Sequence, residues 1–213
     1  MKAVTRLVLA LSVFPQVSVA QSFFEQFSYE GLRFSGIGLE FGGVMSDALT
    51  SEMTGAVRID YGRIAPKVRV LFGVSYFKGE INESEISEFE DGLEDLVPNQ
   101  PPGFSIDVGT ITWSNVEVDL DLQYMLEAGR RVTNYVGLGF SAHVRNGTGV
   151  AIDDTFVEDA LDTIDAGLNL SLGTAIELVP ALQFTLDLRG GLTSELLTAT
   201  ARAGLMYRVA SGR

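Results

Sequence analysis

The chain holds a single histidine, and its neighbours form the one arrangement that could carry acid–base chemistry. Ser141, His143 and Arg145 stand two residues apart, so a hydroxyl, an imidazole and a guanidinium share one parity of their segment. A histidine acts as general base toward a serine hydroxyl only if the two lie within hydrogen-bond reach and a third group orients the ring. Residues two steps apart on an extended segment fit that requirement loosely. His143 is therefore expected to be a satisfied member of a polar network. No catalytic residue is assigned. With no cysteine in the sequence, thiolate chemistry and a disulfide framework are both excluded.

Carboxylates are the second candidate chemistry. Glu80, Glu83, Glu85, Glu88, Glu90, Asp91, Glu94, Asp95 and Asp107 follow one another with no basic residue between them, and Asp153, Asp154, Glu158, Asp159 and Asp162 crowd a later stretch. Calcium loops place their oxygen ligands at fixed intervals around a turn glycine, and neither stretch has that spacing. A solvated anionic rim is expected, with no metal or cofactor site, although such a rim attracts divalent cations.

The elements that must position these groups are read from alternation. In EVDLDLQY, Glu117, Asp119, Asp121 and Gln123 take one parity and Val118, Leu120, Leu122 and Tyr124 the other. A period of two is the pattern of a strand between two unlike environments. The same pattern recurs over Arg33 to Met45, Glu52 to Ile64, Lys67 to Phe77, Ile111 to Leu126, Val132 to Arg145, Ile164 to Leu178, from Leu182 to Arg189 and from Thr198 to Val209. Short helical turns are expected over Ser84 to Leu96, where Ile86, Phe89 and Leu93 share a face, and over Thr155 to Leu161, where Thr155 and Glu158 form a capping box.

Residues 1–20, MKAVTRLVLALSVFPQVSVA, pair two basic residues with a short apolar run and end on small residues, the pattern of a cleaved signal peptide. Removing Lys2 and Arg6 from the 15 basic residues leaves 13 against 28 acidic ones, a formal charge of −15. Nucleic acid is excluded as a partner by that sign. Residues 21–32 form an aromatic-rich lead segment, residues 33–209 the strand domain, and residues 210–213 a short tail.

Eight long strands joined by hairpins suggest an up-and-down antiparallel barrel, because closure removes exposed edges. A soluble barrel with an apolar lumen and a transmembrane barrel with a polar one share this alternation. Three features favour the second. Connections near Ala65, Gly129 and Pro180 are tight, whereas those near 78–110 and 146–163 are long, and such asymmetry of rims is the transmembrane habit. Tyr61, Tyr124 and Tyr207 fall in the apolar register near the tight-turn rim, where an aromatic girdle belongs. The polar register carries Glu40, Asp60, Glu117, Asp119, Asp121, Asp165, Glu177 and Asp187 against Arg58, Arg69, Arg145, Arg189, Arg202 and Arg208, opposite charges that a narrow lumen could pair. Arg63, Lys67, Arg130, Arg131 and Arg213 gather at the tight-turn rim, away from the acidic loops.

On this architecture and the last strand, ATARAGLMYRV, the chain resembles the small eight-stranded outer-membrane barrels, the layout of OmpX and the OmpA membrane domain. The resemblance implies residence in a bacterial outer membrane among its lipids and lipopolysaccharide. It also implies that the last strand, with Tyr207, is read by the barrel-assembly machinery. Three function classes follow. The leading one is a structural or surface-interaction barrel with a charge-paired lumen and acidic outer loops. The second is a narrow cation-preferring channel, since Gly36, Gly38, Gly42, Gly137, Gly139, Gly167, Gly173 and Gly191 take side chains out of the lumen. The third is a lipid-modifying barrel enzyme, which rests on His143 alone.

Overall fold

The computed structural model of the chain describes residues 27–209, apart from 102, 151, 153–154, 156–160 and 195. The leader, residues 21–26, the tail with Arg213, the acidic residues Asp153, Asp154, Glu158 and Asp159, and most of the second helical turn lie outside the described residues.

Eight strands run β1 Leu32–Ser46, β2 Glu52–Ala65, β3 Val68–Glu80, β4 Thr112–Glu127, β5 Val132–Thr148, β6 Thr163–Val179, β7 Leu182–Leu192 and β8 Leu197–Arg208. Each pairs antiparallel with its chain neighbour, and β8 returns to β1 from Gly36↔Arg208 to Ser46↔Thr198, closing an up-and-down barrel. Every edge is thereby satisfied. Parity dictates the register: Glu117, Asp119, Asp121 and Gln123 of β4 face the lumen, while Val118, Leu120, Leu122 and Tyr124 face outward. A slip of one residue would turn this whole set of carboxylates outward and the aliphatics into the lumen.

Two-residue turns at 66–67 and 180–181, and the link 128–131, occupy one rim; connections 47–51, 81–111, 149–162 and 193–196 occupy the other. Near the tight rim the β1–β2 and β2–β3 ladders are irregular, and Gly62 there takes φ +85°. That left-handed conformation suits glycine, and it lets the Gly62 N–H donate to Asp60 Oδ1 at 2.7 Å. Of the lead segment, Tyr29–Gly31 forms a 3₁₀ turn at this rim, and the Ser28 N–H donates to the Ile64 carbonyl.

Strands β3 and β5 run further toward the open rim than expected. Lys78 and Gly79 pair with Ser114 and Trp113, and Ser114 pairs in turn with Asn146, so the two long connections start at 81 and 149. Polar residues on both faces erase the alternation there, and the ladder continues without it. The expected helical turns at 84–96 form one helix, α1 Glu83–Asp95. Glu83 and Glu85 sit in its first turn, where carboxylates complement the helix dipole. Ile86, Phe89 and Leu93 pack against Val108, Ile111 and Ile152, which folds the long connection into an apolar-cored cap over the barrel.

Candidate functional site

The lumen gathers the charged groups that alternation placed on one face. At its centre Arg58 reaches from β2 across to β4, with Nη1 2.5 Å from Asp119 Oδ1, and its Nε lies 3.2 Å from Glu40 Oε2 on β1. Arg189 reaches from β7 to Asp119 as well, with Nη1 3.1 Å from its Oδ1, and Nη2 is bonded to Asp121. Arg202 lies 3.6 Å from Glu40 and 3.9 Å from Asp187, and the Tyr135 hydroxyl donates to Asp187 at 2.9 Å. Toward the rims, Arg69 pairs with Asp60, Arg145 with Asp165 and Arg208 with Glu177. Each of the eight acids and six arginines expected in the lumen takes part in an ion pair, with Glu117 at 3.9 Å from Arg189. Arg58, Asp119 and Asp121 are nearly inaccessible to solvent, so pairing is what makes their burial tolerable.

Three of the lumen glycines are hemmed in by side chains. A Cβ on Gly73 would collide with Arg58 and Asp119, one on Gly139 with Asp121, and one on Gly173 with Tyr135. These glycines make room for long polar side chains arriving from neighbouring strands. At the open rim Val44, Leu49, Phe77 and Leu196, flanked by Trp113, form a buried apolar stopper. Between stopper and ion network the cavity shrinks to about 10 Å³, room for about one water.

His143 sits in that upper chamber, and its geometry corrects the expectation of a loose fit. Its Nε2 lies 2.8 Å from Ser141 Oγ and its Nδ1 3.3 Å from Asn115 Oδ1. Each ring nitrogen thus has a polar neighbour of its own, the serine hydroxyl at Nε2 and the Asn115 amide at Nδ1. Strand twist and side-chain reach bring together what residue spacing alone could not. Access is the missing requirement: Ser141 and His143 are both buried, and the adjoining cavity of about 10 Å³ admits no lipid chain. Ser141, Asn169 and Glu117 continue the network through Asn169 Nδ2, which donates to Glu117 Oε1 at 3.1 Å. His143→Ala is expected to lower unfolding free energy by about 1–3 kcal/mol, the cost of orphaning buried partners, while membrane lipid composition stays unchanged; denaturant titration and lipid mass spectrometry read the two effects.

Some loop carboxylates carry structure that composition did not reveal. Glu94 Oε1 accepts from the Ile106 N–H at 2.8 Å and Glu90 Oε1 from the Val108 N–H at 2.9 Å, tying α1 to the chain that leads into β4. Glu83, Glu85, Glu88, Asp91 and Asp95 are exposed on the cap. Among the described residues no three His, Asp or Glu side chains gather into a metal-binding group.

The outer wall is the converse of the lumen. Phe41, Leu138, Phe140, Leu170 and Leu188 are each more than half exposed, and exposed aliphatic or aromatic residues stand on all eight strands. Tyr61, Tyr124 and Tyr207 project outward near the tight-turn rim, joined by Phe34.

No protein-family model and no curated protein matches the sequence. Solved structures match the fold. Neisserial surface protein A is similar over 84% of this chain and 100% of its own, with 10% identity and a TM-score of 0.57. Ail, the attachment invasion locus protein of Yersinia pestis, covers 84% and 100% at 12% identity and a TM-score of 0.49. The N-terminal β-barrel domain of Pseudomonas aeruginosa OprF covers 84% and 99% at 15% identity and a TM-score of 0.49.

Proposed function

We propose that this chain is an integral barrel of a bacterial outer membrane, with a lumen that is a closed ion-paired plug, acting at the cell surface through its acidic loop cap. The observation that carries the reading is the inversion of polarity. Arginines and carboxylates are buried inside, while a continuous ring of aliphatic and aromatic side chains stands exposed outside. Water would penalise that ring by about 25 cal/mol for each Å² of apolar surface, and lipid does not. Strands of 11 to 17 residues meet or exceed the roughly 9–11 needed to cross a hydrocarbon core. The tyrosines lie where headgroups would begin, and the fold likeness to Neisserial surface protein A agrees.

In this setting the cap faces outward. Its exposed carboxylates meet the anionic sugars of lipopolysaccharide through divalent cations, and β8 with Tyr207 engages the barrel-assembly machinery during biogenesis. A channel is disfavoured by the stopper, the cross-braced arginines and the filled glycine positions. An enzyme is disfavoured by the sealed chamber around His143.

The test is single-channel recording of the barrel refolded into a planar bilayer, with a heat-shift on an unboiled gel confirming insertion. The inserted protein is expected to give no ohmic steps. Stable cation-preferring steps would overturn the plug and restore the channel.

A further inference from the structure

The tight-turn mouth inverts the charge of the molecule. Arg33, Arg63, Arg69, Arg130, Arg131 and Arg208 line a cavity of about 470 Å³ there, and among the described residues Asp60 and Glu177 are its only acidic lining residues. The whole chain carries −13, so six arginines against two carboxylates in one hollow is a local excess of the opposite sign. Both carboxylates are already engaged. Asp60 accepts the Gly62 N–H at 2.7 Å and faces Arg69 at 3.6 Å, and Glu177 faces Arg208 at 3.9 Å. Arg63 donates from Nη1 to the Pro66 carbonyl at 3.1 Å. Among the described residues Arg33, Arg63, Arg130 and Arg131 have no carboxylate within ion-pair distance.

Arg69 marks the inner end of the hollow. It is 6% exposed, donates from Nη2 to Gln123 Oε1 at 2.5 Å and lies 5.6 Å from the Tyr135 ring, yet its Nε makes no hydrogen bond. A buried donor without an acceptor is costly. Guanidinium groups on several strands present forked donors that match the oxygens of phosphate, and their mutual repulsion falls when a polyvalent anion sits among them. A ligand of one negative charge would leave most of the excess uncompensated.

We propose that this mouth is a binding site for a compact phosphate-bearing polyanion, either free in solution or presented as a lipid headgroup. The inference rests on the rim geometry and not on whether the lumen conducts. The experiment is calorimetric titration of tripolyphosphate into the full barrel held in nanodiscs of zwitterionic lipid, repeated in discs containing an anionic phospholipid. One saturable site is expected, and its affinity falls about tenfold or more in Arg130→Gln/Arg131→Gln and again in Arg63→Gln, as for the loss of charge-assisted hydrogen bonds. Lys78→Gln, near the opposite rim, leaves it unchanged. Loss of tripolyphosphate binding in the anionic discs would identify the headgroup as occupant, and undiminished binding would identify the free anion. Absence of saturable binding in zwitterionic discs, or equal affinity in the arginine variants, would overturn the proposal.

Discussion

Replacing Arg58 with methionine is expected to lower the unfolding free energy of the refolded barrel by about 3–5 kcal/mol, the cost of stripping one partner from a buried charge network. The size follows from what Arg58 holds. Its guanidinium bridges Glu40 on β1 and Asp119 on β4, with Asp121 3.9 Å away, and it is 2% exposed. Methionine occupies similar volume but leaves Glu40, Asp119 and Asp121 to share Arg189 and Arg202. Three arginines then become two against the five acids of the central cluster, Glu40, Glu117, Asp119, Asp121 and Asp187. Arg208→Met breaks the half-exposed pair with Glu177 and should cost no more than about 1 kcal/mol. Urea titration in lipid vesicles, followed by the fluorescence of the one tryptophan, Trp113, compares the two. Equal small losses would mean that water enters the centre and screens the network.

The faces of the strands were legible in the sequence because parity is a local property. Arg58, Asp119 and Arg189 could each be assigned to the lumen by counting in twos. Their partnership could not, because Arg189 meets Asp119 across 70 residues of chain, and only barrel closure brings β7 opposite β4. The same gap explains His143: spacing put Ser141 on its face, but the 2.8 Å contact depends on twist and rotamer. Composition misled where one residue type serves two ends. The glycines read as missing lumen volume, whereas the structure fills that volume with Asp121 and Tyr135. Glu90 and Glu94 read as solvated charge but accept backbone N–H groups of a neighbouring segment. The stopper was hidden for the opposite reason. Val44, Phe77 and Leu196 are ordinary apolar residues, and only their inward position at the open rim gathers them into one cluster.

Phe140→Arg is the sharpest test of which side of the wall meets lipid. Phe140 is 67% exposed and lies midway along β5, flanked in the ladder by Leu120 and Leu168. In a membrane barrel arginine at that depth should cost about 2–4 kcal/mol, seen as a loss of folded, heat-shifted protein when refolding into vesicles. Val150 provides the comparison, being 99% exposed in the connection after β5. Val150→Arg should refold like the parent chain, since that residue lies beyond the end of β5 in a connection at the open rim. In an aqueous barrel both side chains would face the same solvent, and both substitutions would be tolerated to a similar degree. Solvent exposure alone therefore cannot separate the two positions, and depth along the barrel axis can. Equal refolding yields for the two variants would remove the membrane from the argument. They would leave a closed barrel whose apolar ring needs some other cover, and the only cover of matching extent would be copies of the same wall.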